Sequence, residues 1–191
     1  MVHQRVRTSV SAQHAADLRA RRPEVIDDLL GECGPAMQGV AYLILRNHAD
    51  AEEVVVDTMV TAWQKAHTLR NDEALRTWLL RIATRHALSR RRRRRPQEQL
   101  APEHHHLLTD RGVDPDRLAL SEAVALLPPR MRAAIALHHY AGLTVAETAS
   151  ALGKSENTIK TQLREGLARL RETLASDDAD RLGRSIHVRG A

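Results

Sequence analysis

The chain has 191 residues, enough for one ordinary domain or two small ones. Apolar residues make up 42% and aromatics 2%, so a core must be built mostly from Leu, Ile, Val and Ala, which favours helices over strands. Lys and Arg total 29 against 24 Asp and Glu, a net +5 that suits a polyanionic partner; the single cysteine, Cys33, excludes an internal disulfide and a cysteine-based zinc site, and no apolar run reaches the ~18 residues of a membrane span.

The start, M-V-H-Q-R-V-R-T-S-V-S, is basic and lacks the apolar stretch of a secretory signal. Residues 1–19 are expected as a flexible basic tail and the protein as cytoplasmic, with no membrane insertion. Residues 23–30 pattern as a short amphipathic helix. Gly34-Pro35 then opens another, running to about Asn47, with Pro35 in its first turn. Cys33 reads as a small buried residue. In H-A-D-A-E-E-V-V-V-D-T-M-V-T-A-W-Q-K, Asp50 and Glu53 have the spacing of a capping box, and Val55, Met59 and Ala62 share one helical stripe. Residues 68–72 are polar and read as a loop. A further helix is expected from Glu73 to about Arg94, with Trp78, Leu79, Ile82 and Ala83 turned inward. Trp63 and Trp78 read as core residues.

Residues 90–95 are six consecutive arginines, closed by Pro96. Residues 96–117 show no periodicity and carry Pro96, Pro102, Pro115 and three adjacent histidines, His104, His105 and His106. They read as a linker between two all-helical domains, 20–95 and 118–175. In the second domain, residues 118–127 form one short helix. Pro128-Pro129 opens the next, which reaches Tyr140 and closes at Gly142. Two more helices follow, 144–152 and 155–174. The acids in D-D-A-D after Ser176 would face an unfavourable helix dipole, so residues 176–191 are expected as a loose tail.

Thr144 and Glu147 form a second capping box. Ala149 is small where two helices would cross, Gly153 suits a positive φ in the turn, and Ser155 caps the next helix. Ile159 would pack that helix on its predecessor. This is a helix-turn-helix pattern. In its second helix, Ile159, Leu163, Leu167, Leu170 and Leu174 make the buried stripe, while Asn157, Lys160, Thr161, Arg164 and Arg171 fall opposite. Ser155, Asn157, Thr158, Lys160, Thr161 and Arg164 offer the groups that bond base edges and phosphates in a major groove. In the first domain, Asp50, Glu53 and Asp57 share a helical face, with Glu52 beside it. The arginine run offers phosphate contacts without base discrimination; each would steepen the log–log salt dependence by about 0.9.

Three segments together, A-E-E-V-V-V-D-T-M-V-T-A-W, T-W-L-L-R-I-A with the arginine run, and L-P-P-R-M-R-A-A-I-A-L-H-H-Y-A-G-L-T-V-A-E-T-A leading to N-T-I-K-T-Q-L-R-E-G-L-A-R-L-R, resemble the extracytoplasmic-function (ECF, group 4) sigma factors of bacterial RNA polymerase. The resemblance spans about residues 20–175. It implies that residues 20–95 correspond to sigma region 2, which docks on the β′ clamp helices of core polymerase and opens the −10 element. Residues 118–175 would correspond to region 4, whose last helix reads the −35 element and whose other surface meets the β flap. An anti-sigma factor is the regulator it implies, and no cofactor, metal or catalytic residue. Carried onto this chain, Asp50, Glu52, Glu53 and Asp57 bind core polymerase. Arg81, Arg85, Arg90, Arg91, Arg92 and Arg93 serve the −10 region and backbone, and a base is captured by the loop at 68–74. The chain departs from the family at Val56, where Gln is common, at Arg85, where Asn is usual, at Thr148, where Ile is frequent, and at Gln162 and Glu165, where arginines are common. The alternative is a free-standing helix-turn-helix regulator that binds an operator without polymerase. An enzyme reading has little to stand on: neighbouring histidines (104–106, and His138 with His139) diverge rather than converge, and no H-E-x-x-H spacing occurs.

Overall fold

The computed structural model describes residues 12–94 and 115–187. Every regular element among them is helical, as the composition implies. The order is α1 (Ala12–Arg19), α2 (Val25–Leu45), α3 (His48–Lys65), α4 (Leu75–Arg94), α5 (Pro115–Leu126), α6 (Pro129–Ile135), α7 (Val145–Leu152) and α8 (Glu156–His187). Short 3-10 turns at Ala66–Thr68 and Asp72–Ala74 bracket the polar loop between α3 and α4, and α6 unwinds into a π-type turn at Ala136–Tyr140.

Several boundaries differ from the sequence expectation. The expected tail already contains α1, which buries Ala15 and Leu18. The helix expected to start at Gly34-Pro35 is the continuation of α2, with Pro35 in its interior. Interior proline costs about 3 kcal/mol, but here it sits on the exposed side. Leu29, Cys33, Met37, Val40 and Ile44 run past it as one fully buried stripe at spacings of four, four, three and four. Burying side chains of this size stabilises by about 1.5–3 kcal/mol each, so packing outweighs the proline. Helix α3 is capped by Asn47, whose Oδ1 accepts from Asp50 N at 3.0 Å, rather than by Asp50. Helix α5 starts at Pro115, inside the expected linker; the rest of that segment, with its histidines, lies outside the described residues. Helix α8 runs on to His187, well past Ser176. Residues 177–187 contain no proline and one glycine, so no breaker stops the helix, and an unfavourable dipole contact is worth only about 0.3–1 kcal/mol.

Helices α2, α3 and α4 pack together around Leu29, Met37, Val54, Leu75, Leu79 and Leu80. Trp63 and Trp78 lie partly buried against this cluster, as expected of core residues. Helices α5 to α8 enclose a second cluster with Ile159 at its centre. The helix-turn-helix follows its sequence signals. Thr144 and Glu147 make the reciprocal capping box, and Gly153 closes α7 with φ +62. Ile159 is fully buried.

The two halves are packed on each other. Ala133, Ala136, Leu137, Ala141, Leu143 and Ala151 of the second half belong to the first half's apolar cluster. Tyr140 lies so close over Gly39 of α2 that a Cβ there would overlap its ring. Polar bonds tie the same interface. Arg76 Nη2 donates to Ala141 O at 2.9 Å, Thr77 Oγ1 donates to Glu147 Oε1 at 3.1 Å, and Arg46 Nη1 donates to Ser121 Oγ. Arg132 is 2% exposed and donates to Ile44 O at 3.2 Å, to Leu127 O at 3.0 Å and to Ala125 O. Ile44 lies at the C-terminal end of α2, where helix carbonyls lack internal partners and the dipole is negative.

Arg132→Ala removes the side-chain donor to Leu127 O and Ala125 O and leaves Ile44 O to Arg91 alone, at about 1–3 kcal/mol for each carbonyl left unpaired, so stability falls by about 2 kcal/mol or more. Arg132→Lys recovers less than half, because one ammonium cannot span both halves. The urea midpoint measures both, and an unshifted midpoint for Arg132→Ala excludes the bridging role. Burial pushes the Cys33 thiol up from 9.0 to about 11, with the Arg76 charge opposing it. The unfolded chain therefore ionises first, and stability falls as pH rises from about 9 towards 11. Cys33→Ala removes that part of the alkaline loss, read as urea midpoints across the same pH range.

Candidate functional site

Three surfaces carry the residues singled out in the sequence. The first is the outward face of α3. Glu52, Glu53 and Asp57 are exposed there, together with Val56 at 61% and Val60 at 51%. Asp50 does not share that exposure: it is 2% exposed. Its Oδ1 accepts from Arg90 Nε at 3.2 Å, while Arg90 Nη2 bonds Glu53 and Arg90 Nη1 lies 3.9 Å from Asp57 Oδ2. The expectation that Asp50 lies on the open acidic face is thus corrected. It turns inward because Asn47 caps its backbone and α4 places a guanidinium beside it. The exposed acidic face consists of Glu52, Glu53 and Asp57, around two exposed valines.

The same geometry divides the arginine run. Five of its members, Arg90 to Arg94, are helical, an arrangement that like-charge repulsion opposes unless counter-charges are near. Arg90 has them on α3. Burial lowers the Arg90 pKa, but hydrogen bonds to Glu53 and Asp50 and their charges raise it on balance. Arg91 is half-buried, with Nη1 donating to Ile44 O at 3.2 Å. Only Arg92 and Arg93 of the expected phosphate contacts in the run project freely. Arg90 and Arg91 are used to fasten α4 to its neighbours, a role that the run of identical residues concealed.

The second surface is a cleft of about 660 Å3 between the 68–74 loop and α4. Asn71, Arg70, Trp78, Arg81 and Arg85 line it, and Ser150 of α7 closes one side. Asn71 shapes the loop by accepting from Glu73 N at 3.0 Å, and Arg19 of α1 braces it by bonding Asp72 and Leu69 O. That bond lowers the Asp72 pKa and raises that of Arg19. Burial lowers the Arg81 pKa, with the neighbouring Arg85 charge adding to it. Three arginines and an indole therefore line a space large enough for a nucleobase.

The third surface is the start of α8. Ser155, Asn157, Thr158, Lys160, Thr161 and Arg164 are all exposed on it. Ser155 Oγ caps the helix by accepting from Thr158 N at 3.2 Å, and the two hydroxyls bond at 2.9 Å. Lys160 Nζ sits 3.9 Å from Glu156. Gln162 turns away from this face: it is half-buried and faces α4 across a second cleft. A change at Gln162 consequently reports on the contact between halves rather than on the reading face.

Sequence reasoning missed the contact between halves itself. Its signals were present in L-P-P-R-M-R, where Arg130 and Arg132, two apart on a helix, must point to nearly opposite sides. Among the described residues, no group of three or more His, Cys, Asp or Glu could hold a metal, and no helix is long and apolar enough to cross a membrane. His138 instead donates from Nδ1 to Leu143 O at 2.6 Å, and its ring meets His139 edge-on.

Comparison with known proteins supplies the class. Residues 29–97 match the family model for sigma-70 region 2, and residues 117–170 match that for sigma-70 region 4. The ECF RNA polymerase sigma factor SigM of Mycobacterium tuberculosis is 30% identical over 173 residues, which is 90% of this chain and 86% of that protein. The RNA polymerase sigma factor SigV of Bacillus subtilis is 29% identical over 143 residues, covering 73% and 84%. Among solved structures, the sigma factor RpoE of Bartonella quintana, in complex with the anti-sigma factor NepR, superimposes with a TM-score of 0.69 at 25% identity, covering 79% of this chain and 97% of that one. CnrH, solved with the cytosolic domain of CnrY, has the same fold at 22% identity and a TM-score of 0.69, covering 87% and 97%. With both regions in order and a relative of this similarity along most of its length, the chain belongs to the ECF RNA polymerase sigma factors of the sigma-70 family.

Proposed function

We propose that this sigma factor is of the group 4 type, acts in the cytoplasm without bond chemistry of its own, and divides its work among the three surfaces. Residues 20–95 act as region 2, residues 118–175 as region 4, and residues 96–117 as their tether. Glu52, Glu53 and Asp57, with Val56 and Val60 between them, dock on the basic β′ clamp helices of core polymerase. The observation that carries this assignment is the composition of that α3 face: exposed apolar side chains ringed by carboxylates, the pattern of an interface core with a charged rim. Val56, where the family commonly has Gln, makes the centre of the patch more apolar.

The loop at 68–74 and the cleft behind it receive a base from the opened −10 element, with Arg81 and Arg85 holding the adjacent phosphates. Arg92 and Arg93 follow the backbone. Asn157, Lys160, Thr161 and Arg164 read the −35 element, with Ser155 and Thr158 at the positive end of the helix dipole beside a phosphate. The opposite surface of the second half meets the β flap. An anti-sigma partner is proposed because the RpoE relative is solved with one.

The packed halves cannot do all of this at once. Elements centred ~25 base pairs apart lie about 85 Å apart at ~3.4 Å per pair, whereas a compact chain of this length is about 40 Å across. Ser150 also closes one side of the cleft that receives the base. The halves therefore separate on the promoter, and a tether of this length reaches up to about 70 Å.

The test is promoter-dependent transcription by core polymerase with and without the chain. Glu53→Lys with Asp57→Lys is expected to weaken binding to core polymerase at least tenfold, and unchanged affinity removes the α3 assignment. Asp57→Ala alone shifts stability by less than about 1 kcal/mol, because its pairing with Arg90 is exposed. Arg92→Ala with Arg93→Ala flattens the log–log salt dependence of promoter binding by about 1.8, two contacts' worth. An unchanged slope shows that neither side chain meets a phosphate.

A further inference from the structure

We propose that the cleft between α4 and the helix-turn-helix is a binding site for a small oligophosphate anion, which bridges the two halves and holds them packed. This goes beyond the promoter reading and does not rest on it. The cleft measures about 620 Å3, within the range of small-ligand sites. Arg85, Arg91 and Arg92 line it from α4, Arg130 from α6 and Lys154 from the turn before α8. No Asp or Glu lines it.

Five cations from three segments thus converge on one concave space without a counter-charge. None of them is paired with a carboxylate among the described residues. The contrast with Arg90, one residue along the same helix, is direct: that side chain faces three carboxylates of α3. Arg91 Nε and Gln162 Oε1 are, in addition, buried without a hydrogen-bond partner at this cleft. Turning the Gln162 amide over presents its N–H groups instead of its oxygen.

The two halves come together here despite like charge on both sides, because the apolar contacts around Leu137 and the Arg132 bridge lie elsewhere in the interface. An anion bound between them turns that repulsion into attraction. Duplex DNA is too wide for a cleft of this volume, whereas a chain of a few phosphates fits it. The apolar wall of Leu88, Leu152, Pro128 and Pro129 leaves room for a base beside the phosphates. The ligand is therefore a free oligophosphate or the phosphate chain of a nucleotide. Since the cleft needs both halves, such a ligand binds only the packed form and shifts the population towards it.

The experiment titrates the full chain with inorganic tripolyphosphate, and in a parallel arm with ATP, by calorimetry. Small-angle scattering follows the radius of gyration. Saturable binding at one site is expected, with a smaller radius at saturation. Arg130→Ala with Lys154→Ala should weaken binding at least tenfold. Arg169→Ala, an equally exposed arginine away from the cleft, should change it by less than twofold. Tighter binding of ATP than of tripolyphosphate identifies a nucleotide as the source, and equal binding identifies the phosphate chain alone. Absence of saturation overturns the proposal. So does an equal loss in the Arg169 variant, or displacement of the anion by a short DNA duplex whose own binding depends on Arg130 and Lys154 to the same degree.

Discussion

The Ile44 carbonyl is where the molecule is joined. It lies in the last turn of α2, where no further amide can satisfy it, and it accepts from Arg91 of α4 and from Arg132 of α6. One group at a helix end thereby ties both α4 and the second half to α2. The choice of arginine follows from the geometry. A guanidinium carries five donors in a rigid fork, so Arg132 reaches Ile44 on one side and Ala125 and Leu127 on the other while remaining buried. Hydrogen bonds to helix-end carbonyls offset the cost of burying this cation. Tyr140 on Gly39 and the bonds of Thr77 and Arg76 then add contacts to a joint already placed.

The same helix α4 shows how one residue type is put to several uses. Arg90 neutralises the carboxylates behind the α3 face, and its hold on buried Asp50 keeps the surface acids in register. Arg91 is a strut, Arg92 and Arg93 face water, and Arg85 lies between two clefts, lining both. A polymerase surface that drew Glu53 and Asp57 towards its own cations would loosen Arg90, and an anion near Arg90 would free those carboxylates. The acidic and basic surfaces are thus coupled through a single side chain, although each reads as separate in the sequence.

Much of this was legible beforehand because it is local. The all-helical class follows from a diet of Leu, Ala, Val and Ile. The helix-turn-helix follows from Thr144, Glu147, Gly153, Ser155 and Ile159, whose capping and turn chemistry acts within a few residues. The exposed face of α8 followed from period alone. What was not legible depended on distant partners. Pro35 reads as a helix start until the buried stripe of α2 is seen to cross it. Asp50 reads as a cap and a surface acid until Arg90 arrives from forty residues away. Six identical arginines carry no internal difference, so only their neighbours could separate struts from free cations. The place of Gln162 was illegible for the same reason: its burial is set by α4, not by its own helix.

The shared core has a consequence for the lifetime of the protein. Leu137, Ala141 and Leu143 are dry only while they rest in the first half's cluster. Once the halves part they are wetted, and a molecule opened without a partner displays a sticky apolar patch of the sort that proteases and chaperones sample. Polymerase, promoter or an inhibitory partner that covers the patch also shelters the chain. Turnover is then expected to follow engagement, with the open and idle chain the form most exposed to degradation.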